Sequence, residues 1–129
     1  MTTDFFVEII ESSRELTPKE RVMAKQVSSA HKLDELTQDG DIILKPEAYV
    51  LLRVNNEKSK GDKTYETMVL IDHQGEMYIT GSISFRNAVI QLWDDYCELL
   101  GEGEDCGLRV YRMPSKNYKG KEFITATII

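Results

Sequence analysis

The segment SISFRNAVIQLWDDYCELLGEG, residues 82–103, constrains the fold more than any other part of the chain. Its apolar side chains recur three and four positions apart, which is the spacing of one helix face. Ser82 or Ser84 can cap this helix, and Gly101 can end it. Trp93 lies on the apolar face, so we expect it in the core. The rest of the chain must supply the surface on which this helix packs.

The segment before the helix that is most typical of a β-strand is DIILKPEAYVLLRV, residues 41–54. Apolar residues alternate with polar ones along it, and Lys45, Tyr49 and Arg53 share the polar side. Pro46 predicts a bend or a sheet edge at that position, because proline cannot donate a ladder hydrogen bond.

Four further segments complete a pattern of β-strands. TYETMVLI (64–71) and EMYIT (76–80) are joined by the turn DHQG, and either face of the first could be buried. After the helix, GLRVYRM (107–113) and EFITATII (122–129) predict a hairpin. Three strands, a helix and two strands are the element order of an OB-type five-stranded barrel, so we predict a mainly β fold of that type. A different five-stranded α+β sheet is the alternative.

The first part of the chain has a different pattern. TPKERVMAKQV predicts a helix over about 18–27, with Thr17 as the N-cap and Glu20 closing a capping box. The preceding DFFVEII is compatible with either a strand or a helix. We therefore predict an N-terminal helical extension over 1–36 and an OB-fold domain that binds single-stranded nucleic acid over 37–129.

Charge is segregated along this acidic chain of net charge −6. Residues 94–105 carry six acids and no base, whereas residues 106–129 carry five bases and one acid. The acidic run has three interpretations: a solvated face, a rim that repels nucleic acid into its groove, or a surface for a basic partner protein.

Two predicted loops, 55–63 and 114–121, are rich in lysine. In an OB-type barrel they would flank the oligonucleotide groove, and flexible lysines suit a phosphate backbone. We expect the two loops to come together in space, the alternative being ordinary solvated turns. Their lysines are Lys58, Lys60, Lys63, Lys116, Lys119 and Lys121.

Nucleic-acid bases would stack on exposed aromatic rings beside these loops. If Leu108 and Val110 point into the core, strand alternation places Arg109, Tyr111 and Phe123 outward, and these three are the strongest candidates. The other candidates for contact are Tyr49 and Arg53 on the first strand, Tyr65 beside Lys63, and Tyr118 in the second loop.

The sequence carries no recognisable catalytic motif. His31 and His73 lack cysteines at zinc-ligand spacing, and neither a phosphate-binding glycine loop nor a nucleophile elbow is present. We therefore predict that the protein is not an enzyme and uses no cofactor. Cys97 and Cys106 are expected to be free thiols, and without a signal peptide or an apolar membrane span we expect a cytoplasmic protein.

Three pieces in order, LTQDGDII, DHQGEMY and PSKNYKGKEFITATI, resemble the single-stranded DNA-binding proteins of small protein-primed Bacillus phages. That family has Asp-Gly-x-Ile, Asp-Gly-x-x-Tyr and Ser-Lys-Gly-x-x-Phe at these places, and the resemblance extends over about 36–129. This chain differs in its additional first 35 residues and in its more acidic segment 94–105.

The resemblance implies an OB-fold protein that coats displaced single strands during replication without sequence preference. By position, Tyr78 corresponds to a hairpin tyrosine of the family and Phe123 to its closing aromatic residue, while Tyr49 and Tyr65 fall near other aromatic or loop positions. It also implies an infected host cytoplasm as the location and a replication protein as a partner. The N-terminal segment would be available for homo-oligomerisation.

Two other hypotheses remain at this stage. The chain could instead be a small phage or bacterial protein–protein interaction module, an inhibitor or adaptor, that uses the acidic helix end and the N-terminal helix. It could also bind RNA, because OB surfaces accept either nucleic acid. No membrane partner is expected.

Overall fold

The computed structural model describes residues 5–56, 64–116 and 119–129. The chain is mainly β, as predicted. A short 3-10 helix, Val27–Ser29, follows the first α-helix. The elements in chain order are β1 (Phe5–Ser12), α1 (Pro18–Lys25), β2 (His31–Lys32), α2 (Leu33–Leu36), β3 (Ile42–Leu44), β4 (Pro46–Asn56), β5 (Thr64–Asp72), β6 (Met77–Thr80), α3 (Ile83–Gly101), β7 (Leu108–Pro114) and β8 (Glu122–Ile128).

The strands in the described part of the chain form two sheets. One has five strands in the order β1-β4-β5-β6-β2, and the other has three in the order β3-β7-β8. Among the described residues neither sheet closes into a barrel, so barrel closure is not confirmed. In the five-stranded sheet, β1 occupies the outer edge of β4, and β2 occupies the outer edge of β6.

The chain divides into two compact units, each made of two segments. The first comprises Met1–His31 with Glu47–Gly81, and the second comprises Lys32–Pro46 with Ser82–Ile129. The division into segments 1–36 and 37–129 stays a prediction.

The N-terminal segment is only partly the helical extension that we predicted. Its helix is confirmed as α1, but the residues before it form the strand β1, which pairs antiparallel with β4. Residues 5–10 of the ambiguous segment DFFVEII are therefore part of the sheet, because β4 offers the apolar residues among them a partner of matching register. Val7 lies opposite Val54, and Ile9 lies opposite Leu52.

Local side-chain chemistry sets the start of α1. The Thr17 hydroxyl accepts a hydrogen bond from the Glu20 amide at 3.1 Å, and the Glu20 carboxylate accepts one from the Thr17 amide at 2.9 Å. This is the predicted capping box. Arg14 adds an ion pair at 2.8 Å to the same carboxylate. These hydrogen bonds, from Arg14 first and Thr17 second, lower the pKa of Glu20 to about 2.

The stability of α1 should therefore depend on pH through Glu20. Because its folded pKa lies below its unfolded value, this carboxylate stabilises the protein above about pH 4.5, and the contribution is lost as the pH falls toward about 2. We expect Glu20→Gln to lower the free energy of unfolding at neutral pH and to match the wild type near pH 2. Urea unfolding over this pH range, with Glu15→Gln as a charge-matched control, measures it; a difference independent of pH would contradict the assignment.

The core of the first unit lies on one face of β4. Ala48, Val50, Leu52 and Val54 are all fully buried there, which confirms the predicted apolar side of this strand. They pack in one cluster with residues of β1, β5 and β6 and with Ala24 of α1. An α-helix thus covers this face of the sheet.

The prediction that Tyr49, on the opposite face of β4, is exposed is wrong. Alternation predicts it outward, but only 9% of the residue is exposed. On β5, Met68 and Leu70 are buried as well as Val69 and Ile71, so both faces of the sheet are covered in this region. The alternation rule fails because it assumes one face in water.

The second unit is built around α3, whose predicted bounds and cap are confirmed. The Ser82 hydroxyl accepts a hydrogen bond from the Phe85 amide at 3.2 Å, and the helix ends at Gly101. Its buried residues are Phe85, Val89, Trp93 and Tyr96, and the helix packs against β8. The buried Tyr96 hydroxyl donates to the Pro46 carbonyl oxygen at 2.9 Å, which ties the helix to the end of the unit's first segment.

Candidate nucleic-acid interface

The antiparallel hairpin of β7 and β8 carries the strongest sequence candidates. Leu108, Val110, Ile124 and Ala126 are buried, so their predicted inward orientation is confirmed. Because side chains alternate along a strand, the opposite face of the hairpin carries Arg109, Tyr111, Met113, Phe123, Thr125 and Thr127.

The pairing register refines the predicted pair of rings on this face. Tyr111 lies opposite Thr125, and Phe123 lies opposite Met113. The two rings are therefore diagonal neighbours rather than direct partners, at a separation that aromatic side chains can still bridge. Both are half-buried, so part of each ring reaches solvent.

Two apolar residues that we did not list among the candidates extend this surface. Ile43 on β3 pairs with Arg109 in register and is 58% exposed. Met113 is 40% exposed. This side of the three-stranded sheet is thus apolar and aromatic at several positions. Below, "the outward face" means the surface formed by Ile43, Arg109, Tyr111, Met113, Phe123, Thr125 and Thr127. The alternation that places Tyr111 outward also predicts Met113 there.

Arg109 belongs to this face, but its guanidinium already has partners. It bonds to the Asp41 carboxylate at 2.7 and 2.8 Å and lies 4.7 Å from the centroid of the Tyr111 ring. Both ionic side chains are nearly half exposed, and such pairs contribute about 0–1 kcal/mol to stability. The charge of Arg109 is therefore already paired with Asp41.

Arg112, the other arginine of the basic stretch, has a structural role. Its side chain points to the opposite face, where Nε donates to the Thr37 hydroxyl at 3.1 Å and a terminal nitrogen donates to the Asp34 carbonyl oxygen. Thr37 is 3% exposed. Arg112 thereby holds the end of α2 against the hairpin.

Because the Arg112 side chain is hydrogen-bonded and the Lys119 side chain is exposed, replacing them should affect stability differently. We expect Arg112→Ala to lower the free energy of unfolding by about 1–2 kcal/mol, because two hydrogen bonds from a charged donor are lost. Lys119→Ala, at an exposed position of the same hairpin, should change it by less than about 0.5 kcal/mol. Urea unfolding of both variants measures this, and equal effects would argue against the assigned role of Arg112.

Lys116, Lys119 and Lys121 lie at the end of the hairpin, and all three are exposed. Among the residues that the structure describes, no acidic group lies within ion-pair distance of any of them. Their charge is therefore available to an external anion.

A cleft of about 780 Å³ opens at the same end of the hairpin. Its described lining combines apolar side chains, two cations and one carboxylate: Met113, Pro114, Phe123, Lys116, Lys121 and Glu122. Ser84, in the first turn of α3, also lines it, and the Ser84 hydroxyl donates to the Ile124 carbonyl oxygen at 3.2 Å. Pattern reasoning missed this cleft, since it depends on how α3 meets the hairpin.

The acidic residues at the C-terminal part of α3 lie away from this cleft. Ser84 is near the start of α3, and Asp94 is ten residues further along the same helix, or about 15 Å at 1.5 Å per residue. Asp95 and Glu98 lie further along the helix, so the acids of segment 94–105 that belong to α3 are beyond a screening length of about 10 Å. Asp105 is paired with Lys45 at 2.6 Å, which lowers the pKa of that carboxyl group.

The remaining described candidates lie in the first unit. Tyr49 is buried, as noted above, and Arg53 forms a cross-strand ion pair with Glu8 at 3.2 Å. Tyr65 is 45% exposed at the start of β5. Tyr78 is half-buried, and the His31 ring lies against it with the centroids 5.3 Å apart. Partial burial raises the pKa of Tyr78.

Four predicted site residues lie outside the described residues: Lys58, Lys60, Lys63 and Tyr118. The expectation that the loops 55–63 and 114–121 come together therefore stays a prediction. Of the candidates, the structure brings Arg109, Tyr111 and Phe123 onto one face, with the three lysines at its end.

Other kinds of site find little support in the part of the chain that the structure describes. Within residues 5–56, 64–116 and 119–129, no three His, Cys, Asp or Glu side chains converge as metal ligands would. Every described helix is too short or too polar to cross a bilayer. Cys97 and Cys106 are free thiols, the first exposed and the second buried.

The chain matches no protein-family model, no curated protein and no solved structure. The resemblance to phage single-stranded DNA-binding proteins therefore stays a prediction from its three sequence pieces.

Proposed function

We propose that the protein binds single-stranded DNA, largely without regard to sequence, through the outward face and the lysines at the end of the β7–β8 hairpin. The observation that carries this proposal is the common location of two kinds of group. The half-buried residues Tyr111 and Phe123 share one sheet face, and three lysines without acidic partners among the described residues end the same hairpin.

Each kind of group matches one part of a single strand. Aromatic faces stack on any unpaired base, because every base has a π-face, and this contact requires no particular sequence. Flexible lysines neutralise phosphates and release counterions. The apolar side chains of Ile43 and Met113 add surface that a base or sugar would cover.

The net charge of −6 is compatible with this proposal because the charges are separated. The acids of segment 94–105 that lie on α3, Asp94, Asp95 and Glu98, are at least about 15 Å along the helix from Ser84 at the cleft, where physiological salt screens them. A phosphate at the hairpin end would respond mainly to the local cations.

We further propose OB-type connectivity for the chain. The nearly continuous stretch formed by β3 and β4 pairs with β7 in one sheet and with β5 in the other, as the first strand of an OB-type barrel does. The edge of β6, which would complete the barrel by pairing with β8, pairs with β2 among the described residues. This supports an open variant of the fold in which the N-terminal segment supplies extra edge strands.

In the cell, we propose a role in covering strands displaced during replication, which rests on the sequence resemblance alone. RNA is the alternative ligand. Binding of ribo- and deoxyribo-oligomers of equal sequence separates the two, because a protein that uses the 2′-hydroxyl binds the ribo-oligomer more tightly.

Fluorescence anisotropy with a labelled dT oligomer of about 12 nucleotides tests the proposal. If three lysines contact phosphates, log K should fall against log salt with a slope of about −2, so affinity should drop roughly 15-fold between about 50 and 200 mM salt. Duplex DNA of equal length should bind more weakly, since its bases are already stacked. Absence of binding at the lower salt concentration, or affinity that does not depend on salt, would contradict the proposal.

A further inference from the structure

The cleft at the hairpin end contains one group that phosphate binding does not explain. Glu122 lines it together with Lys116 and Lys121, and the residue is exposed. No cation lies within ion-pair distance of its carboxylate among the described residues. A carboxylate beside two lysines weakens their attraction for phosphate. A surface that bound only the DNA backbone would therefore bind it more tightly without Glu122.

A carboxylate is an acceptor only, and bases differ in the donors that they offer. Cytosine presents an exocyclic amino group, to which glutamate and aspartate bind, whereas thymine presents a carbonyl oxygen at the corresponding position. A carboxylate in a base-binding cleft therefore favours cytosine over thymine.

The remaining lining fits a nucleotide. Pro114, Met113 and Phe123 supply apolar surface for the base, and Lys116 and Lys121 can bind the adjoining phosphates. The volume of about 780 Å³ lies within the range of small-molecule sites, about 300–1,000 Å³. In the hairpin register the Pro114–Glu122 pair directly follows the Met113–Phe123 pair, and all four residues line the cleft at this end of the hairpin.

We infer that this cleft binds one nucleotide of the strand and that Glu122 gives it a preference for cytosine over thymine. The inference rests on the proposed function, because the cleft is treated as part of the DNA-binding surface. It adds a specificity-determining residue to a surface that otherwise accepts any sequence.

The experiment compares oligo(dC) with oligo(dT) of equal length at neutral pH, for the wild type and two variants. We expect the wild type to prefer oligo(dC) by about five- to tenfold, the effect of one hydrogen bond to a charged acceptor at an exposed site. Glu122→Ala should abolish the preference and bind oligo(dT) more tightly, since a repulsive charge is removed. Glu122→Gln, whose amide donates as well as accepts, should also gain affinity for oligo(dT) and lose the preference, because its NH2 group can bind the thymine carbonyl oxygen.

Glu98→Ala, an exposed acid of α3, is the matched control for the change in charge. It should leave the ratio of the two affinities unchanged. Equal affinities for the two oligomers in the wild type, or a preference that survives Glu122→Ala, would overturn the inference and leave the proposed function intact. Failure to bind either oligomer would overturn both.

Discussion

Replacing Tyr111 and Phe123 together by alanine is expected to weaken the binding of oligo(dT) by about 30-fold or more. Each base that stacks on an aromatic ring contributes about 1–3 kcal/mol, and the two rings together would contribute at least about 2 kcal/mol. A factor of ten in affinity corresponds to about 1.4 kcal/mol. Anisotropy titration at constant salt measures the loss, which should be similar for any oligomer sequence that lacks strong secondary structure.

Phe6→Ala is the matched control for this prediction. Phe6 lies in β1 of the first unit and is 55% exposed, so its replacement also removes an exposed ring from a strand. Its effect on affinity should be less than about twofold, because the ring lies outside the proposed surface. Thermal unfolding should show that the double variant remains folded. A folded double variant that binds as the wild type does would exclude stacking at these positions.

Replacing Lys116, Lys119 and Lys121 together by alanine should remove most of the salt dependence of binding. Three phosphate contacts account for a slope of about −2 in log K against log salt, and this slope should approach zero in the triple variant. The loss of affinity should be largest at low salt. Titrations at several salt concentrations give the slope directly.

A control variant removes three lysines from another part of the chain, so that its net charge changes by the same amount. Lys19, Lys25 and Lys32 are exposed and lie outside the hairpin. Their replacement by alanine should leave the slope close to the wild-type value. If both triple variants lost the same share of the slope, binding would depend on overall charge rather than on this surface.

Local structure was the part of the fold that the sequence could predict. The capping box of Thr17 and Glu20 joins residues three positions apart, and the cap of α3 at Ser82 bonds to Phe85 at the same distance along the chain. Such contacts involve only residues that are close in sequence, so they do not depend on how the rest of the chain packs. The apolar sides of β4 and β7 followed from alternation for the same reason.

Contacts between distant segments could not be predicted in this way. Tyr49 alternates as an outward residue but is buried, because the sheet is covered on both faces there. The edges of β4 and β6 pair with β1 and β2, which come from the segment that we predicted as a helical extension. Sequence alternation carries no information about what occupies the edge of a sheet.

The candidate site, too, could be predicted from the sequence only in part. Alternation placed Tyr111 and Phe123 on one face, but the hairpin register, which makes them diagonal neighbours, depends on the length of the intervening loop. Nor could the sequence distinguish among the five bases of the stretch. Arg109 and Arg112 find partners at Asp41 and Thr37, far away along the chain, whereas the lysines at the hairpin end find no acidic partner within the described ranges.

The most direct test of the central claim is the change in backbone amide chemical shifts when oligo(dT) is added to ¹⁵N-labelled protein. We predict that the largest changes fall between residues 109 and 127, on β7, β8 and the loop that joins them. Changes concentrated in β1 and α1, with the β7–β8 hairpin unaffected, would contradict the claim that this hairpin is the DNA-binding surface.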